Sequence, residues 1–195
     1  MAYNPLAFSL MLVSMGALIF SAYFYLLTGR KLSQDQEKAF GSIFIILGVI
    51  AGIFGFSIYF YETLPAQYIE IYALGLLIFA MLQIALGLSM AFGWDKVPAS
   101  YLAAVCGIAL LNSARTVYSF SLSKSPSATT ALFGVSGLGC LGVALLSYLG
   151  AKKMPRWLAF LVLSAFVIVG LLALYSGVSA QYGHVSSALA KTAGA

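Results

Sequence analysis

The chain alternates long apolar stretches with short polar breaks. Reading from break to break gives six stretches, at approximately residues 5–28, 40–61, 71–93, 98–122, 126–150 and 156–178. Each holds the ~20 residues that match ~30 Å of hydrocarbon at the helical rise, whereas a soluble core helix is usually shorter and keeps a wet face. The pattern predicts an all-α fold, a polytopic transmembrane bundle of six helices that occupies residues 1–178 as a single domain. Residues 179–195 are rich in Ala and Ser, which suits either an outer tail or a prolonged last helix. Pro5, Pro98, Pro126 and Pro155 stand at expected helix starts, where a proline forfeits no hydrogen bond.

The polar breaks carry the orientation. Arg30, Lys31 and Lys38 follow the first stretch, Lys96 follows the third, and Lys152, Lys153 and Arg156 follow the fifth. The other side carries Lys124 and Lys191 alone. Positive-inside bias then places the basic breaks in the cytoplasm and both termini on the outer side of a multi-pass cell-membrane protein. No basic region and cleavage site precede the first stretch, so it is expected to remain as a span. Residues 5–25 faintly echo 98–118, with Ser21-Ala22 over Ser113-Ala114, and Phe40-Gly41 echoes Phe133-Gly134. Three spans per half would make this a 3+3 inverted repeat, an arrangement common in transporters.

Composition agrees, since 62% hydrophobic against 8% charged residues leaves too little polar surface for a soluble chain. The net charge of +5 does not indicate nucleic acid, because all cations but Arg115 lie in breaks and none is interleaved with aromatics. Cys106 and Cys140 both fall inside spans and read as small packing residues; a bridge between them would need Cα atoms ~6 Å apart. Gly48, Gly52 and Gly55 in the second span, and Gly134, Gly137, Gly139 and Gly142 in the fifth, permit close helix approach. That approach serves packing within the chain or, in the sharper reading, a homo-oligomer. Tyr59, Phe60, Tyr61, Tyr68, Tyr72, Trp94, Tyr101 and Trp157 thicken near span ends, as an interfacial belt does.

Few side chains in the spans could do chemistry. Arg115 lies about seven residues inside the fourth stretch, ~10 Å deep, where an unpaired guanidinium would cost several kcal/mol. Asn112, Thr116 and Ser119 share its face, so this polar stripe is expected to turn into the bundle or into water. Glu62 and Glu70 bracket the break on the same side and are the candidate ion-pair partners of Arg115, which could snorkel toward them. Gln83 stands mid-span, where its amide could bind a neighbouring helix or greet an amide-like solute. Asp95 reads as a cap, and Asp35 and Glu37 as solvated loop residues. His184 alone supplies neither a pair of haem ligands nor, with two intramembrane cysteines, a typical zinc site. With no phosphate loop and no nucleophile elbow, no cofactor, metal or enzymatic activity is indicated.

Three short segments carry a resemblance: Thr63-Leu64-Pro65 with Tyr68, residues 98–107, and Leu122-Ser123-Lys124-Ser125-Pro126. On them the chain resembles, over roughly residues 10–148, an uncharacterised family of small archaeal multi-spanning membrane proteins. More distantly, residues 92–101 and Trp157 are similar to the six-span urea and amide channels, which implies outward termini and passage of a small solute. The chain departs from that pattern by having only two tryptophans, both at loop ends, and Leu82, Gln83 and Ile84 in mid-span. The resulting expectation is a channel or transporter for a small neutral solute, its path lined by Gln83, Asn112, Arg115, Thr116 and Ser119. The alternative is a non-catalytic accessory subunit of a larger membrane complex.

Overall fold

A computed structural model describes residues 5–29, 32–61, 64, 66–123, 125–149 and 155–193. It is built of six helices: α1 (Pro5–Gly29), α2 (Gln34–Phe60), α3 (Ala66–Phe92), α4 (Val97–Phe120), α5 (Pro126–Leu149) and α6 (Arg156–Ala193). All six are long and apolar enough to cross a membrane. Large apolar side chains such as Ile46, Ile53, Val105, Ile108 and Leu171 lie exposed around the middle of the bundle. Such a girdle needs acyl chains as its solvent. Tyr59, Phe60, Tyr61, Trp94, Tyr101 and Trp157 are exposed near helix ends, as expected of a belt, whereas Tyr72 turns inward and packs on Phe133 with ring centroids 5.9 Å apart.

Consecutive helices run antiparallel and form a ring in chain order, closed by α6 returning to α1, while α1 also leans across to α3. Glycine sets the closest approaches. A Cβ on Gly41 would meet the Gly87 carbonyl at 2.7 Å, and one on Gly87 would meet the Gly41 carbonyl at 2.7 Å. The same reciprocity joins α4 to α5, where Gly107 and Gly137 face each other's carbonyls at 2.8 and 2.9 Å. Gly48 and Gly55 also seat against α3, Gly139 and Gly142 against α6, and Gly170 and Gly177 of α6 against α1. The glycine faces are therefore spent within one chain, because only a missing side chain lets two backbones touch.

Several boundaries move from those expected. α2 begins at Gln34 rather than residue 40, since Ser33 and Gln36 make a reciprocal capping box: the Gln36 N–H donates to Ser33 Oγ at 3.2 Å and the Ser33 N–H donates to Gln36 Oε1 at 3.0 Å. Asp35 and Glu37 thus belong to its first turn and not to a loop. α3 begins at Ala66 and ends before Gly93, whose φ of +68° suits a residue without a Cβ. Asp95 Oδ1 accepts from the Val97 N–H at 3.0 Å beside the start of α4. α6 continues without a break to Ala193. At 38 residues it is about 57 Å long, well beyond one hydrocarbon thickness.

A test contrasts two glycines on one helix. Gly41→Ala, which places a methyl against backbone, is expected to lower stability by about 1–3 kcal/mol. Gly52→Ala meets only the Ala80 Cβ at 3.8 Å and is expected to be near neutral, as read by thermal unfolding in detergent.

Candidate functional site

The ring leaves a cavity of about 60 Å³ in the half away from the basic breaks, lined by Ser9 and Val13 of α1, Tyr72 and Phe79 of α3, Leu110 of α4 and Phe133 of α5 among others. This is room for a few water molecules or one small solute. Its walls are apolar. Even Ser9 and Ser136 donate to their own helix, to the Pro5 and Leu132 carbonyls, at 2.7 Å each.

Gln83 lies one turn beyond Phe79, and both side chains press on Gly16 of α1, where a Cβ would fall 1.9 Å from Gln83 Nε2 and 2.8 Å from the Phe79 ring. Gln83 is 5% exposed, and among the described residues neither its Nε2 nor its Oε1 has a hydrogen-bond partner. A buried amide left so costs about 1–3 kcal/mol relative to a satisfied one. Glycine at position 16 is what admits this side chain, since any larger residue would occupy its place.

Beyond Gln83, toward the basic end, aromatic rings fill the bundle. Phe20 stands 4.5 Å from Phe166 and 6.1 Å from each of Phe24 and Phe44, by ring centroids. A polar cluster then ties α1, α2 and the α3–α4 connection together. The Tyr23 hydroxyl donates to Glu37 Oε1 at 3.2 Å, and Lys96 Nζ forms an ion pair with the same oxygen while lying 3.4 Å from the Tyr23 hydroxyl. Partial burial by itself would lower the Lys96 pKa, but the Glu37 hydrogen bond and the Tyr23 and Glu37 charges outweigh it and hold the ammonium above its ordinary 10.5.

The expected path residues do not converge. Gln83 faces the interior, whereas Asn112, Arg115 and Ser119 are exposed on the outside of α4 and Thr116 is half-buried. The stripe shares a face as its spacing implied, but α3 and α5 flank α4 on the other side, so that face looks away from the interior of the bundle. Arg115 makes no ion pair among the described residues, Glu70 is exposed, and Glu62 lies outside them, as does the side chain of His184. Cys106 and Cys140 are both buried free thiols, and Cys106 Sγ approaches the Ile78 carbonyl at 3.8 Å. Among the described residues no cluster of three His, Cys, Asp or Glu could hold a metal ion.

Gly16, Tyr23 and the Glu37–Lys96 pair were not legible as a site. The signal for the pair was the Ser33-x-x-Gln36 box, which brings Glu37 into a helix and so beside the third break.

Six membrane-length helices in a closed ring, with one unsatisfied amide near the axis, define a multi-pass integral membrane protein. The chain belongs to the family described as "Protein of unknown function (DUF981)", matched over residues 1–187. No curated protein and no solved structure matches it.

Replacing Lys96 by Met is expected to lower thermal stability by up to about 1 kcal/mol, the range of a part-exposed ion pair. Because the folded pKa of Lys96 is raised, its contribution is fully present below pH 10.5 and is lost as pH climbs through the folded value. Unfolding midpoints should therefore fall more steeply for the native chain than for Lys96→Met only above pH 10.5.

Proposed function

We propose that the protein passes a small neutral solute along the axis of the ring, with the basic breaks in the cytoplasm and both termini outside. The observation that carries this reading is the orphaned amide of Gln83, buried beside Gly16 one turn below an apolar cavity. Buried hydroxyls such as those of Ser9 and Ser136 donate to their own helix, and among the described residues only Thr130 Oγ1 shares the lack of a partner; an amide, with both a donor and an acceptor left unmet at mid-membrane depth, has a use that offsets its cost. It both donates and accepts, which matches urea or a simple amide, and the resemblance of residues 92–101 to the urea and amide channels points the same way. The excess of Lys and Arg in alternate breaks supports the orientation.

In this conformation Phe20, Phe44 and Phe166 close the basic half of the path. Passage requires these rings to move, and the Tyr23–Glu37–Lys96 cluster holds the helices that carry two of them. No chemical step is needed, so the role is transport and not catalysis.

Stopped-flow light scattering on proteoliposomes tests this directly. Urea or acetamide should cross severalfold faster than in protein-free liposomes, with acetate excluded. Gln83→Leu should return the rate to background while raising thermal stability by about 1–3 kcal/mol, because an apolar group replaces an unsatisfied one. Permeabilities equal to those of empty liposomes for every solute, glycerol included, would overturn the reading and favour an accessory subunit.

A further inference from the structure

We propose that a second copy of this chain covers the outer face of α4, forming a two-fold dimer in which Arg115 of each protomer pairs with Glu70 of the partner subunit. The inference is independent of whether a solute is conducted. Tyr101, Val105, Ile108, Asn112, Arg115 and Ser119 follow one another four and three residues apart, and all are exposed. That spacing makes one continuous seam along the span, with the 3.5-residue period of helices that wrap around each other. The seam is not apolar throughout. Asn112 stands eight residues before the end of α4, about 12 Å along the helix, where lipid offers its amide nothing.

The charges on this face identify the occupant. Glu70 lies four residues into α3 and Arg115 five residues before the end of the antiparallel α4, so the two share a depth on neighbouring helices. Both are exposed, and neither forms an ion pair with a described residue of its own chain. In a two-fold contact residue i meets j and j meets i, so a surface carrying both signs at one level is complementary to itself. Copies inserted in one orientation keep that level matched. Each Arg115 swings off the seam to reach Glu70 of the partner subunit, and the two Asn112 amides meet each other across it. An anionic lipid headgroup would satisfy Arg115 alone; it would repel Glu70 and leave Asn112 unpaired.

The test uses the full chain in lipid nanodiscs and mild detergent, with particle mass measured by light scattering. The native protein should have a two-copy mass, R115E and E70R should each give a single-copy mass, and the double exchange R115E/E70R should restore two copies. Oxidation of Ile108→Cys in membranes should give a cross-linked pair, while Leu171→Cys on α6 should not. Circular dichroism follows folding separately, and the milder Arg115→Gln should reduce the Ile108→Cys cross-link severalfold if a charge reversal fails to fold. A single-copy native mass without the cross-link would overturn the proposal, as would a two-copy mass indifferent to both reversals or a folded double exchange that stays single. A single copy that retains anionic lipid and releases it in Arg115→Gln, or that purifies with a foreign subunit, would overturn it too and name the occupant.

Discussion

Inside a bilayer an apolar side chain gains little by leaving lipid for protein, so six greasy helices stay together only where their backbones come closer than acyl chains could. Here that closeness rests on glycine. The Gly41–Gly87 and Gly107–Gly137 pairs place carbonyls where a side chain would otherwise stand, and Gly170 and Gly177 seat α6 on α1. The ring order, the direction each helix face points and the space left along the axis all depend on these contacts. Substituents removed at the seams are also what permit large ones inside, since the aromatic rings of α1, α2 and α6 fill the volume between tightly joined pairs.

The axis is graded from one end to the other. A small apolar cavity gives way to Phe79 and the unpaired Gln83 amide, then to stacked and tilted rings, then to a charged cluster at the basic end. An apolar side chain of similar size, such as leucine, would be more stable at position 83. Retaining an amide there places a polar requirement at the depth where it is hardest to meet.

Spans were readable because hydrocarbon thickness leaves a strong signature in length and composition, and all six apolar stretches became helices. Their polar extensions were not, because hydropathy treats Gln34 to Lys38 as loop even though Ser33 and Gln36 cap a helix there. Asn112, Arg115 and Ser119 do share a face, as spacing alone requires. Which way that face looks is decided by Gly107 packing on Gly137 and by Cys106 lying against α3, contacts that the polar residues do not encode. Gln83 was visible as a mid-span amide. Its isolation was not, because it depends on Gly16 of a helix 67 residues away in the chain.

Closure of the ring through α1 and α6 joins the two helices that lie farthest apart in chain order. The α2–α3 and α4–α5 hairpins can each zip up locally as they enter the membrane, whereas α1 meets its glycine-bearing mate only after the four intervening helices have been made. Until then the groove awaiting α6 lies open sideways to lipid. Assembly therefore has a built-in final step, the docking of α6, whose large loss of chain freedom is offset by the close seating of Gly170 and Gly177 on α1.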